Sequence, residues 1–353
     1  MTDYSALLDQ RPLAPSELVH LEELSAAVLA TSNDVIIMQG EAILALEAVA
    51  KSVGAPGVIA LNIVTGPYGA IFGDWMADAG ATVVTLASEF DSVISVEAVA
   101  AAIAEHSPRV LAIVHAEAAT GGTNPLVEIL ALARAADILT IVDSVASIGA
   151  EPVLVDEWGI DIAVIGGQKS LAGPAGVSAV SVSPAAWAVI DNNPGAPRGS
   201  SLSLTDWRDN WTRTDRSAIP GMPSWLESRG LIAALERVLT EGLDAVNELH
   251  RRARAATLAG AAELGIGPWQ IDGGYAPVVT ALRLPSPGAL SDGDLGGILS
   301  VGNGALRGYL VRVNHTGRAA ALEPVQDAMA RLATALGVDP AASLAAAEAG
   351  WNA

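Results

Sequence analysis

The sequence predicts an α/β fold: a large domain with a mostly parallel buried sheet flanked by helices, followed by a smaller α+β C-terminal domain. Three observations carry this reading. Apolar runs rich in β-branched residues alternate with helix-periodic segments from Val35 to Ile190. Each run is apolar throughout, as strands covered on both faces are. Beyond about residue 240 the order changes to long helices and then apolar strands, which indicates a second layer of different make-up.

Taken in order, Leu21, Leu24, Ala27 and Val28 recur at helical spacing and predict a helix near 17–30. Val35–Met38 reads as a short buried strand, Gln39-Gly40-Glu41 as a turn, and Ala42–Lys51 as a helix. The alternation repeats: strand Val58–Val64, turn Thr65–Gly69, helix to about Ala79; strand Thr82–Leu86, helix Val96–Glu105; strand Val110–His115, loop Glu117–Pro125, helix Leu126–Ala136. Strands Leu139–Val142, Ile160–Ile165 and Val177–Val182 follow, with a helix near Pro184–Ile190. Residues 192–225, rich in Pro, Gly, Trp and charge, read as loops over a site or at an interface. Helices over Ser224–Leu239 and Gly242–Leu264 lead to strands Val278–Leu284 and Tyr309–Val313, a helix Pro324–Leu336 and an Ala-rich helical tail over Ala341–Ala349. The expected division is an arm over 1–20, a large domain over 21–240 and a small domain over 241–353.

The 353 residues suffice for a full core, and 51% hydrophobic with 16% charged residues argues for a compact soluble chain. A net charge of −20 argues against nucleic acid or an anionic membrane as partner. The absence of cysteine excludes disulfides, thiolate metal sites and a cysteine nucleophile. The opening Met1-Thr2-Asp3-Tyr4 lacks the charged and apolar regions of a signal peptide, and the apolar runs are too short to span a bilayer, so a cytoplasmic location is expected.

In such sheets ligands bind beyond the carboxyl ends of the strands. Gly40, Tyr68, Glu117, Asp143 and Lys169 all fall there. Ile141-Val142-Asp143 ends in an acid, and Ile165-Gly166-Gly167-Gln168-Lys169 leads to a lysine. A semi-buried lysine suits imine formation, and an acid beside it suits the protonated nitrogen of an aromatic ring, which becomes an electron sink. His115 reads as a buried histidine satisfied by backbone, and neither it nor Glu117 as a metal ligand.

Val142-Asp143-Ser144-Val145-Ala146-Ser147, Gly159-Ile160-Asp161, Gly167-Gln168-Lys169 and Gly173-Pro174-Ala175-Gly176 resemble the core of the class V, fold-type-I pyridoxal-phosphate aminotransferases, with the alanine–glyoxylate and serine–pyruvate enzymes as the nearest large group. The likeness is close over residues 34–190 and looser elsewhere. It implies Lys169 as the imine lysine and proton shuttle, Asp143 at the ring nitrogen, and Val145 and Tyr68 on opposite ring faces. It further implies Gln168 at the 5′ side, Arg312 on the substrate carboxylate, and a homodimer or tetramer with shared sites. The cofactor is then pyridoxal 5′-phosphate, and the partners are an amino donor and a small 2-oxo acid such as pyruvate or glyoxylate.

Departures from that pattern narrow the expectation. Where the family builds its phosphate cup from small hydroxyl and Gly residues, this chain has Gly40-Glu41-Ala42. This segment is similar to that of the pyridoxamine–pyruvate aminotransferases, which take unphosphorylated pyridoxamine as a substrate; a carboxylate there rejects a phosphate and accepts from a 5′-hydroxyl. Met222 stands where relatives carry a phosphate-binding Thr from the partner subunit, and Ala118 where a hydroxyl can meet the ring's 3′-oxygen. Asn303 replaces that subgroup's second substrate arginine, with Arg307 nearby, and the Pro-Gly-Pro opening loop is missing. The expected activity is transfer of an amino group through a lysine-linked pyridoxal imine, with pyridoxamine and pyruvate giving pyridoxal and alanine. The alternatives are a phosphate-dependent alanine/serine–glyoxylate-type aminotransferase, a lyase on the same fold, and a non-catalytic vitamin B6-binding relative.

Overall fold

A computed structural model describes residues 11–271, 273–290 and 295–353. The first ten residues of the expected arm lie outside the described residues. In chain order the elements are α1 (Pro15–Val28), β1 (Asp34–Gln39), α2 (Ala42–Val53), β2 (Ile59–Val64), α3 (Pro67–Asp78), β3 (Thr82–Ala87), α4 (Val96–His106), β4 (Val110–Val114), β5 (Ala116–Glu117), β6 (Gly122–Thr123), α5 (Leu126–Ala135) and β7 (Leu139–Asp143). They continue as α6 (Val155–Trp158), β8 (Ile162–Gly166), β9 (Val177–Val182), α7 (Pro184–Asp191), α8 (Leu204–Trp207), α9 (Trp225–Glu241), α10 (Leu243–Glu263), β10 (Val279–Arg283), β11 (Leu299–Val301), β12 (Leu310–Asn314), α11 (Leu322–Leu336) and α12 (Ala341–Asn352).

The large sheet has seven strands in the order β1-β9-β8-β7-β4-β2-β3. The pairs from β3 through β8 are parallel. β9 runs against β8, and β1 runs against β9. Two reversals restore the direction, so β1 ends at the same edge as β2, β4, β7 and β8. Strands β4, β7, β8 and β9 are buried along their whole length, which explains their unbroken apolar character. β3 is the outer strand and exposes Thr82, Thr85 and Ala87.

Helices cover both faces, and their starts follow from local chemistry. The side chains of Ser95, Ser183 and Ser224 accept the N–H of Ala98, Ala186 and Glu227 to cap α4, α7 and α9. One side of the sheet packs Leu61, Ile113, Val142 and Ile165 against Leu18 and Leu21 of α1 and Leu235 of α9. The other packs Ile36, Ile141, Val164 and Val180 against Ala45 and Val49 of α2 and Met76 of α3.

The C-terminal part forms a three-stranded sheet, β10-β12-β11, antiparallel throughout. It has its own core of Ala256, Leu282, Val311, Val313, Met329 and Leu332. Helix α10 passes from one core to the other: Val246 packs into the large core, Ala253 and later residues into the small one.

Three short features depart from the sequence reading. The 192–225 segment, read as loops, contains α8 and a π-helical turn over Arg208–Thr212. Ser203 caps α8 through the N–H of Asp206, and Trp211, 1% exposed, donates its ring N–H to Glu22 at 2.6 Å. Loop chemistry thus starts the segment, while a buried tryptophan from a distant contact winds it. The loop after β4 contains the two-residue strands β5 and β6. Strand β11 was not anticipated, because three residues are too few to establish a period. Among the described residues, no helix is long and apolar enough to cross a membrane.

Candidate active site

A cavity of about 310 Å³ opens at the carboxyl edge of the large sheet, lined among others by Glu41, Ala42, Tyr68, Asp143, Val145, Gln168 and Lys169. Five chain segments contribute, because β1, β2, β4, β7 and β8 all end there and a polar side chain lies at or just past the end of each. Its volume suits a small aromatic ligand.

Asp143 closes β7 and is 9% exposed. Its Oδ1 accepts the N–H of Val145 at 2.9 Å, which leaves one carboxyl oxygen for a ligand. Burial raises its pKa above the usual aspartate range, against the lowering effect of Val145 N–H and the Lys169 charge. A cationic N–H arriving in the cavity would favour the ionised form. Lys169 lies three residues past β8, with Nζ 5.2 Å from the centre of the Tyr68 ring. The neighbouring strands bring acid and lysine together: Asp143 is in register with Val164, in the strand that leads to Lys169.

At the far end of the cavity Glu41 is the N-cap of α2. Its Oε2 accepts the N–H of Ile43 at 2.9 Å, and Oε1 accepts from the side-chain amide of Gln168. Gln168 Oε1 is buried without a hydrogen-bond partner among the described residues. Gly40 does not line the cavity; its φ of +146° and the contact of a notional Cβ with Leu44 at 2.3 Å make it the turn that aims Glu41 inward.

Arg312 enters from β12. Its guanidinium donates to Val301 O at 3.1 Å and more weakly to Ala118 O at 3.4 Å, and Ala118 lines the cavity. Nε is buried and has no hydrogen-bond partner among the described residues. Burial lowers its pKa from the usual arginine value, and the nearby Tyr68 and Glu117 oppose that shift. Among the described residues its hydrogen bonds go to carbonyls and none to a carboxylate, so an anionic ligand is the natural complement.

The chain matches the class-V aminotransferase family over residues 20–265. It is 35% identical over 314 residues to pyridoxamine–pyruvate transaminase of Mesorhizobium japonicum, covering 87% of this chain and 78% of that one. It is 31% identical to the alanine–glyoxylate aminotransferase of Drosophila melanogaster, covering 68% of this chain and 61% of that one. The crystal structure of pyridoxamine–pyruvate aminotransferase from Mesorhizobium loti superposes with a TM-score of 0.90 at 30% identity, covering 100% of this chain and 95% of that one.

The chain belongs to the class-V aminotransferase family. Membership implies use of a pyridoxal-phosphate-type cofactor, and the fold is that of the fold-type-I aminotransferases, as the sequence predicts.

Of the residues expected at the site of this aminotransferase, Glu41, Ala42, Tyr68, Asp143, Val145, Gln168 and Lys169 surround one cavity. Arg312 reaches it through Ala118. Tyr68 is 39% exposed and Val145 is 6% exposed. His115 requires a correction. It is buried and its backbone N–H meets Asp143 O, but ring Nδ1 has no partner among the described residues, and Nε2 is 4.0 Å from Glu151. Burial drives its pKa down to about 4. The strand-end position buries the ring; the backbone groups nearby are already used by the β4–β7 ladder and the turn that follows.

Sequence reasoning placed Glu117 at the right edge without a task. It is 0% exposed, its Oε2 accepts the N–H of Tyr68 at 3.3 Å, and its Oε1 that of Ala119 at 3.1 Å. Burial, opposed by those bonds and by Lys169, raises its pKa to about 7. Its one sequence signal is Gly66, the side-chain-free start of α3.

Proposed function

We propose that this chain is an aminotransferase that takes an unphosphorylated B6 ring, converting pyridoxamine and a small 2-oxo acid such as pyruvate into pyridoxal and an amino acid such as alanine. The observation that carries this reading is Glu41. A 5′-phosphate at this end of the cavity needs backbone N–H and side-chain donors. The N–H of Ile43 and the amide of Gln168 are both already engaged by the Glu41 carboxylate. Two like charges at about 4 Å repel by roughly 1 kcal/mol even in water and by more in a desolvated cavity. The donor set therefore does not fit a phosphate. It fits a 5′-hydroxyl, which can donate to Glu41 or to the Oε1 of Gln168 and needs neither of those donors.

A bound pyridoxal-type ring supplies the electron sink that acidifies the carbon next to the transferred nitrogen. The remaining work falls to protein groups. The free oxygen of Asp143 accepts the ring N–H and keeps it protonated. Val145 and Tyr68 press on the two ring faces. Lys169 Nζ takes the proton from one carbon and returns it to the other, acting as base and then acid. Arg312 holds the carboxylate of the 2-oxo acid beside Ala118.

Absorption titration of the purified protein with pyridoxal and with pyridoxal phosphate tests this. A visible band with pyridoxal and none with the phosphate form is expected, with the preference relaxed or reversed in Glu41→Ser. A band with the phosphate form alone overturns the choice of ring. A band that survives Lys169→Ala overturns the role of the lysine.

A further inference from the structure

Helix α3 begins without a side chain to cap it, since its N-cap is Gly66. The first-turn amides of a helix have no partner within the helix, and a cap is what normally satisfies them. Here the acceptor comes from 49 positions away: Glu117 Oε2 takes the N–H of Tyr68. The geometry depends on glycine, for a Cβ at position 66 would sit 2.2 Å from Glu117 Cγ. A carboxylate at a helix start is also favoured by the helix dipole. Thr65, before the helix, is held separately, by Asn124 to its hydroxyl at 3.0 Å and by Thr120 to its carbonyl at 3.4 Å. Those bonds secure the turn but not the Tyr68 amide.

We propose that Glu117 is a positioning residue, a cap lent by β5 to α3 that fixes the Tyr68 ring beside Lys169 and so sets one wall of the ring site. The other carboxyl oxygen ties the same group to Ala119, next to the Ala118 carbonyl that Arg312 approaches. One buried side chain thus couples the wall against which the ring stacks to the loop beside the carboxylate site. The statement about the cap stands on its own; the statement about the ring wall rests on the B6-ring reading above.

The test has two arms. In the ligand-free protein, amide hydrogen exchange at Tyr68 is compared between wild type and Glu117→Gln, in which an NH₂ replaces one acceptor oxygen. Exchange is expected to accelerate about tenfold at Tyr68, while the amides of β7 keep their wild-type rates. Gly66→Ala, which leaves the carboxyl intact but blocks its approach, is expected to do the same. Unchanged exchange at Tyr68 in both variants overturns the cap. In the second arm, pyridoxal affinity is expected to fall about tenfold in Glu117→Gln, yet to be unaffected by that substitution in a Tyr68→Ala background. An equal loss in both backgrounds overturns the positioning role, because Glu117 then acts without Tyr68. Should wild type itself take up no pyridoxal, the ring reading fails, and the exchange arm still decides the cap.

Discussion

Asp143 and Arg312 present the same problem with opposite signs: a charged group held where burial opposes its charge. Each has spent part of its hydrogen-bonding capacity on backbone and kept part for a ligand. Replacing Asp143 by Asn keeps the shape but removes the anion that a protonated ring nitrogen needs. Turnover in Asp143→Asn is expected to fall by about 10²–10³-fold with pyridoxal uptake largely kept, read by steady-state rates beside the absorption titration. Arg312→Lys loses the planar fork. It is expected to raise KM for the 2-oxo acid by about 100-fold with a smaller change in kcat; a change confined to kcat would place Arg312 elsewhere in the reaction. Asp143 and Lys169 were legible in the sequence because one ends a buried strand and the other follows the end of the next by three residues. Glu117 was not, because its task is defined by the space that Gly66 leaves open, and that space exists only once β2 and β4 are neighbours.

Among the elements, the strands of the large sheet were the most legible, since burial on both faces writes itself as uninterrupted apolar runs. The 204–212 segment was opaque because its helical form depends on a long-range contact, Trp211 against Glu22 of α1. That contact carries a pH signature. Burial raises the pKa of Glu22 to about 7 from 4.5, with Arg216 and Trp211 opposing. The folded state therefore holds a proton that the unfolded chain releases. The stability this contributes is complete below about pH 4.5 and is lost as pH rises through about 7. Glu22→Gln keeps an acceptor for Trp211 and removes the titration. Urea unfolding is expected to show the variant gaining about 1–2 kcal/mol on wild type between pH 5 and pH 8. A constant difference across that range would show that Glu22 is not desolvated. His115, lowered to about 4, acts in the other direction: the stability contributed by keeping it neutral is present above about pH 6.5 and is lost as pH falls from there towards 4.

At the scale of the whole molecule, the chain combines two cores joined through α10 with a net charge of −20. Self-repulsion at that charge is screened within about 10 Å at 0.1 M salt. The thermal midpoint is accordingly expected to rise by roughly 2–5 °C from very low salt to about 0.3 M NaCl, which differential scanning fluorimetry can check. The segment after the π-helical turn runs beside the site and leaves Met222 88% exposed, next to a groove that includes Leu13, Gln39, Ile219 and Trp225. The resemblance to the family implies a homodimer or tetramer with shared sites, and this exposed face is where that expectation can be tested. Met222→Asp is then expected to shift the chain towards monomer in size-exclusion chromatography, whereas an unchanged elution volume would place the contact elsewhere.

The reversed strand β9 has one more consequence. It separates β1 from β8 in the sheet, yet leaves their ends on the same edge, so that Glu41 meets Gln168 although the two lie 127 positions apart. The proposed selector, Glu41, and the acid–lysine pair thus come from different stretches of chain. On the proposed reading, a change at residue 41 would alter which ligand is admitted, while Asp143 stays on its own strand, β7. Under the proposed function, ligand choice and reaction chemistry are therefore carried by different stretches of chain, and one substitution at residue 41 would be enough to shift the preference between the two forms of the ring.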